Sequence, residues 1–176
     1  MKKALTIILA GGQGKRMDIL CHGRAKPSLP FAGSFRVIDF TLSNCIHSRT
    51  GDIGVLIDYQ RSDMANYLRQ WCLVNASRHK LRILEPEVGS YKGTADAVYR
   101  NITYLQRYSA DTILVLAADH VYKMDYSKML AFHGRIAADV TVGVVSVPIE
   151  QAHRFGIVKA TTEGRIIDFV EKPRAP

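Results

Sequence analysis

Three glycines and two cations stand together in Gly11-Gly12-Gln13-Gly14-Lys15-Arg16, immediately after the apolar run Leu5 to Leu9. Glycine lets the main chain reach φ > 0 and lets a ligand approach where a Cβ would clash. The N–H groups of such a loop form a concave nest for phosphate oxygens. Lys15 and Arg16 add full positive charges at its exit. The implied chemistry is capture of a nucleoside triphosphate at the carboxyl end of the first strand. Two common phosphate loops fail the test of spacing. A dinucleotide fingerprint begun at Gly12-x-Gly14 needs glycine where Met17 stands, and a Walker A loop ending at Gly14-Lys15 needs glycine at Leu9 and a hydroxyl at Arg16. A glycine-rich βα turn without a ligand is the plainer reading of this loop alone. The second basic cluster in the same connection, Arg24-Ala25-Lys26-Pro27, weighs against it.

A second chemical group follows Ile113 to Ala118: Asp119 ends an apolar run, at what reads as the carboxyl end of a central strand. A carboxylate there suits Mg²⁺ held between phosphates, the plainer alternative being a turn or helix N-cap aspartate. His120 has no second histidine at ligand spacing and reads as a hydrogen-bonded side chain rather than a metal ligand. Gly93-Thr94-Ala95-Asp96 reads as a helix start that Thr94 can cap.

Such groups must be positioned by strands and helices in alternation. Residues 5–9, 53–57, 81–84, 112–117 and 139–147 are short apolar or β-branched runs with little in-and-out alternation, the pattern of parallel strands covered on both faces. Between them, Met64, Leu68, Trp71 and Cys72 in 62–75, Ala95, Val98, Ile102 and Leu105 in 94–107, and Met129, Leu130, His133 and Ile136 in 126–137 recur at helical spacing. The fold expected is a Rossmann-like, doubly wound α/β domain with a mostly parallel sheet, whose ligands lie at the carboxyl ends of the strands. Thr162-Glu163-Gly164-Arg165 reads as a turn into Ile166 to Val170.

With 176 residues and 47% apolar content, the chain can bury one core, so a single domain is the default. It holds no run long enough to span a membrane, and residues 4–10 are too short and wrongly flanked for a signal peptide. Cys21, Cys45 and Cys72 are odd in number and lack Cys-x-x-Cys spacing, which argues against a disulfide framework or zinc site and for the reducing cytoplasm. The net charge of +8 is scattered, with its clusters beside glycine loops. That distribution fits polyanionic small substrates and ordinary solvated surface better than nucleic acid, which calls for a basic face interleaved with aromatics.

The blocks Leu9 to Met17, Arg24 to Pro27, Phe31 and Phe35 to Cys45 resemble the opening of the glucose-1-phosphate adenylyltransferases, the ADP-glucose pyrophosphorylases. Similarity continues in order through Tyr91 to Val98, Ala118 to Tyr126, Val147 to Ile149, Phe155-Gly156 and Phe169 to Pro173, nearly the whole chain. The first loop and Glu171-Lys172-Pro173 are shared by sugar nucleotidyltransferases generally, whereas the Ile38 to Cys45 and Asp119-His120-x-Tyr122 blocks are more specific to the adenylyl branch.

The resemblance implies transfer of the adenylyl group of ATP to α-D-glucose 1-phosphate, giving ADP-glucose and pyrophosphate, a step in glycogen or starch biosynthesis. It implies Arg16, Lys26 and Asp119 as catalytic residues and Asp119 as the Mg²⁺ ligand. Arg16 can grip two phosphate oxygens with its planar fork, and Lys26 would sit as a point charge near the α-phosphate. Leu9, Ala10, Gly11, Gly12, Gly14, Gly93 and Thr94 would bind the nucleotide, Gly93 leaving room for adenine or ribose against the backbone. Tyr91, Gly156, Glu171 and Lys172 would contact the sugar phosphate. Relatives continue into the rest of the sugar pocket, a second metal-binding carboxylate and a left-handed β-helix, so residues 1–176 read as a truncated, partial catalytic domain that binds nucleotide but turns over weakly. The full-length protein would be a homotetramer without nucleic-acid or membrane partners. Lys15 departs from the family's usual small hydroxyl residue, Gly23 from a lysine used by many regulated members for a phosphorylated activator, and the segment between Leu84 and Tyr91 is shorter than usual. Two rivals stay open: a sugar-1-phosphate nucleotidyltransferase using dTTP, UTP or GTP, and a non-catalytic nucleotide-binding regulatory subunit.

Overall fold

The computed structural model describes residues 4–12, 24–75 and 80–174. The chain resolves into two compact units, Met1–Ile136 and Ala137–Pro176. The first is built on the apolar runs that the sequence marks as buried strands. In β1 (Ala4–Leu9), the four consecutive residues Leu5 to Ile8 are at most 1% exposed, so both faces of this strand are covered. It pairs in parallel with β4 (Ile53–Leu56) on one side and β6 (Thr112–Ala117) on the other, and β5 (Leu81–Leu84) extends the sheet beyond β4. Among the described residues this gives a four-stranded parallel sheet in the order β5-β4-β1-β6.

Alternate residues of the central strands feed two cores. One holds Ile8, Val55, Leu114 and Leu116. Against it pack Ile38, Leu42 and Cys45 of α1 (Ile38–Ser48), Met64 and Leu68 of α2 (Arg61–Asn75), and the fully buried Tyr126 of α5 (Tyr126–Ile136). The opposite core holds Leu5, Ile7, Leu56 and Leu84, with Ala97 of α3 (Thr94–Arg100) and Leu105 of α4 (Ile102–Arg107). Helices on both faces of a parallel sheet are the doubly wound arrangement expected, and burying each such aliphatic side chain contributes about 1.5–3 kcal/mol. Cover on the second face is thinner at β6, where Ile113 and Val115 remain 43% and 47% exposed.

Three features depart from the periodicity. The expected helix over 94–107 is broken at Asn101, whose amide donates to the Ala97 carbonyl and to the Tyr91 hydroxyl, so a bend replaces a continuous helix and turns Ile102 outward. Thr94 does not cap α3: Gly93 takes the N-cap position with no side-chain bond, and the Asp96 carboxylate reaches back to the Lys92 amide. The run 139–147 is not a strand. It joins no ladder among the described residues, and Val140, Val142, Val144 and Val145 stay exposed, Val145 at 83%. Branched residues favour a pleated surface only when a neighbour supplies the hydrogen bonds and the packing.

Two further elements lay outside the periodic reading. One is α1, whose Ile38, Leu42 and Cys45 recur at helical spacing inside a polar segment. The other is the short antiparallel pair β2 (Pro30–Phe31) and β3 (Phe35–Arg36). In the second unit, β7 (Gly156–Ala160) and β8 (Ile166–Glu171) form an antiparallel hairpin, turned at Gly164 with φ +84 as the Thr162 to Arg165 signal predicts. No helix of the described residues is long and apolar enough to cross a membrane.

Candidate active site

The carboxyl ends of β1, β4 and β6 open into one cavity of about 320 Å³ within the first unit. Parallel strands put these ends side by side, so residues just past each strand meet although far apart in sequence. From β1 come Leu9, Gly11 and Gly12, from β4 Leu56 and Asp58, and from β6 Ala117 and Asp119. Tyr91, Gly93, Thr94 and Ala97, around the start of α3, form a further wall.

The β1 exit is held in the sheet to its last residues. The Ala10 amide donates to the Leu56 carbonyl at 2.8 Å, and the Ala118 amide donates to the Leu9 carbonyl at 3.1 Å. Past that point the glycines are needed in different ways. A Cβ on Gly11 would lie 3.0 Å from the Asp58 Cβ, whereas one on Gly12 would meet nothing within 4 Å. Gly11 therefore admits the β4 loop, and Gly12 leaves open room at the cavity.

Lys26 returns to this point from the chain's next described segment, its amide donating to the Gly12 carbonyl at 3.4 Å. Its ammonium donates to Asp119 Oδ2 at 2.8 Å, joining the basic cluster to the carboxylate beyond β6. With side chains 30% and 37% exposed, the pair contributes less than about 1 kcal/mol to stability. Its consequence is placement. Burial pulls the Asp119 carboxyl upward, but the Lys26 hydrogen bond and charge, with His120 nearby, outweigh it and hold Asp119 below the usual carboxylate range. His120 Nε2 lies 3.6 Å from Asp119 Oδ1, an electrostatic neighbour rather than a close hydrogen bond.

A hard divalent cation would find the Asp119 carboxylate in the cavity lining, 37% exposed. No group of three or more His, Cys, Asp or Glu side chains able to hold a metal occurs among the described residues. The site suits a cation that takes one carboxylate from the protein and completes its shell with water and phosphate oxygens, the habit of Mg²⁺.

Asp58 is the site residue that the sequence reading missed. Its Oδ2 accepts the Tyr91 amide at 3.1 Å and its Oδ1 accepts Arg61 Nη2 at 3.1 Å, so it ties the β4 end to the wall before α3. Arg61 also donates to the Gly89 carbonyl, while Arg100 donates to the Val88 and Ser90 carbonyls at 2.8 and 3.1 Å. Two arginines thus strap the segment that delivers Tyr91. The available signal was position alone: Asp58 stands one residue beyond the apolar run 53–57, as Asp119 stands beyond its own.

Leu9, Gly11, Gly12, Gly93, Thr94, Tyr91 and Asp119 therefore line one cavity, Lys26 reaches it through Asp119, and Ala10 is buried behind the β1 exit. Burial, ahead of the Asn101 hydrogen bond and the Arg100 charge that oppose it, raises the Tyr91 hydroxyl above its ordinary value, so Tyr91 stays a neutral phenol. Gly14 and Arg16 lie outside the described residues. Gly156, Glu171 and Lys172 belong to the second unit and meet at one end of its hairpin. Gly156 faces Glu171 in register, a Cβ there would fall 2.9 Å from Glu171 Oε2, and Lys172 Nζ lies 3.3 Å from Glu171 Oε1.

Comparison with known proteins fits this geometry. The family model described as Nucleotidyl transferase matches residues 5–176. A glucose-1-phosphate adenylyltransferase of Clostridium novyi (strain NT) is 46% identical over 99% of this chain and 48% of its own length. Proteins of the same name from Dechloromonas aromatica (strain RCB) and Bacillus thuringiensis (strain Al Hakam) are 44% and 43% identical, each over 99% of this chain and over 41% and 48% of their own lengths. The chain spans about half the length of the curated relatives it matches.

Proposed function

The chain belongs to the nucleotidyl transferase family, and from that premise we propose that the protein transfers the adenylyl group of ATP to α-D-glucose 1-phosphate, releasing ADP-glucose and pyrophosphate. The observation that carries the reading is the single cavity in which open glycine backbone, the Lys26–Asp119 pair and the Gly93-Thr94 wall converge. The names of the relatives supply the base and the sugar.

The chemistry asks for placement rather than for a base. A phosphate oxygen of the sugar phosphate is already anionic at neutral pH and attacks the α-phosphorus in line; that O–P bond forms as the bond to the pyrophosphate oxygen breaks, and no proton moves. The barrier lies in bringing two anions together and in the charge that develops on the transferring group and the leaving pyrophosphate, which cations and oriented N–H groups lower. In this reading the Gly11-Gly12 backbone receives the phosphates, and Lys26, freed from Asp119, contributes an ammonium at the α-phosphate. Asp119 would hold Mg²⁺, which supplies charge neutralisation across the phosphates when bound. Gly93 and Thr94 would bound the nucleoside, Tyr91 the sugar phosphate, and Arg16 and Gly14 would act on the triphosphate. Gly156, Glu171 and Lys172 would meet the sugar phosphate: the carboxylate accepts hydroxyl bonds and the ammonium pairs with phosphate. A homotetramer and a cytoplasmic setting belong to the same proposal.

Calorimetry at fixed Mg²⁺, with ATP, dTTP, UTP and GTP titrated in turn, tests it. ATP is expected to bind most tightly and to be the nucleotide consumed with glucose 1-phosphate. Preference for dTTP, UTP or GTP would move the protein to another branch of the family, and binding without any turnover in the full-length protein would make it a regulatory subunit.

A further inference from the structure

The loop carrying Asp119, between β6 and α5, is fastened by one face of α1. Thr41, Asn44 and Ser48 are spaced three and four residues apart, so they project from the same side of that helix, and all three are nearly or fully buried. Thr41 Oγ1 donates to the Ala117 carbonyl at 3.1 Å, before Asp119. Beyond it, Asn44 Nδ2 donates to the Tyr122 carbonyl at 3.0 Å, and Asn44 Oδ1 accepts the Met124 amide at 3.3 Å. Ser48 Oγ accepts the Tyr126 amide at 2.8 Å where α5 begins. Asn44 is the central fastener. A primary amide offers a donor and an acceptor at once, and here they take a carbonyl and an N–H two residues apart in a loop that has no ladder of its own.

The same helix is fixed at its start, where the Asp39 carboxylate accepts the Arg36 amide at 2.7 Å and the Tyr67 hydroxyl. The segment feeding it begins with Lys26. One rigid helix therefore backs the loop that carries Asp119.

We infer that Asn44 is a positioning residue: by clamping Tyr122 and Met124 it holds the Asp119 carboxylate where Lys26, and then the cation on the ATP phosphates, must find it. The inference rests on the role proposed above for Asp119. Outer residues that orient a metal ligand typically govern roughly 10–100-fold in metal affinity.

The test compares ATP binding by this chain with and without Mg²⁺, alongside hydrogen exchange of the Met124 amide, in wild type, Asn44→Ala, Asn44→Asp and a control, Leu68→Ala. Asn44→Asp keeps the shape and the acceptor but sets an oxygen against the Tyr122 carbonyl. Both Asn44 variants are expected to keep Mg²⁺-free ATP binding within about twofold and to lose roughly tenfold or more of the Mg²⁺-dependent gain. Exchange at Met124 should rise in Asn44→Ala and stay slower in Asn44→Asp. Leu68→Ala, buried on α2 and making no hydrogen bond to this loop, should melt lower yet keep the full Mg²⁺-dependent gain. An unchanged gain in folded Asn44 variants would overturn the inference, as would a gain lost equally in Leu68→Ala. Failure of both Asn44 variants to fold would overturn it too, since the residue would then hold the domain rather than the loop. A wild type that binds ATP with no Mg²⁺-dependent gain would instead sink the reading of Asp119, and this inference with it.

Discussion

Lys26 and Asp119 are 93 residues apart and meet at 2.8 Å because two strand exits and one basic turn converge. A half-exposed ion pair of that kind adds little to the fold, so its removal should be felt in chemistry first. Losing one transition-state contact commonly costs on the order of 3 kcal/mol, roughly a hundredfold in rate. Lys26→Met and Asp119→Asn in the full-length protein are therefore expected to lower kcat about a hundredfold with melting temperatures near wild type, checked by steady-state kinetics and calorimetric melting. The pair also leaves an acid signature. Its carboxyl is held low in the folded state, so the unfolded chain takes up that proton first as pH falls. The contribution is complete above the unfolded value, about 3.9, and is lost as pH drops through the folded value. Between about pH 5 and pH 3, wild type should lose stability more steeply than Asp119→Asn, a comparison that thermal melts across this range decide. Both residues were legible in the sequence because each adjoins a turn or strand end and carries the charge that phosphate chemistry needs. Asp58 was not: nothing in Leu-Ile-Asp-Tyr-Gln says that its carboxylate will reach a backbone amide 33 residues further on.

At the scale of elements, β1 and β4 were readable because burial on both faces demands unbroken apolar runs, and that demand is local; β5 and β6 show similar runs with one face partly open. The run 139–147 has the same letters without the same surroundings, which composition does not encode. Helix α1 shows the converse: Asp39, Thr41, Asn44 and Ser48 are polar and bond to segments outside the helix, so its apolar spacing is diluted. Within β1, Thr6 is fully buried, and its hydroxyl has no hydrogen-bond partner among the described residues. Thr6→Val keeps the shape and removes an unsatisfied oxygen, which costs about 1–3 kcal/mol when buried. This variant should raise the melting temperature, and a lower one would mean that the hydroxyl is satisfied. The turn from α1 into β4 makes the opposite demand. Gly51 has φ +88, and a Cβ there would lie 2.8 Å from the Ala4 carbonyl oxygen. Gly51→Ala combines backbone strain with a clash that the start of β1 has to absorb, so it should lower stability by more than about 1 kcal/mol in urea unfolding.

Across the whole molecule, the two compact units differ in how much they bury. The first encloses both cores and the cavity, whereas every residue of β8 is exposed and the second unit contributes Ala152 to the buried apolar set. A lone two-stranded hairpin is at best marginally stable in water, and a segment outside any ladder has few backbone bonds to break before a protease can thread it. The second unit opens with such a stretch, 138–148, where Val140, Val144 and Val145 are 76%, 69% and 83% exposed. Limited proteolysis with an enzyme that accepts aliphatic side chains should therefore cut first within 138–148 and leave a resistant fragment ending near Ile136, identified by mass spectrometry. The described cavity lining comes entirely from the first unit. The fragment should accordingly retain Mg²⁺-dependent ATP binding, and saturating ATP at about 100 times its Kd should stabilise it by roughly 2.7 kcal/mol. Cleavage beginning instead inside β4 or β6 would contradict the burial ranking of the two units, and a resistant fragment blind to ATP would show that nucleotide binding needs residues beyond 136.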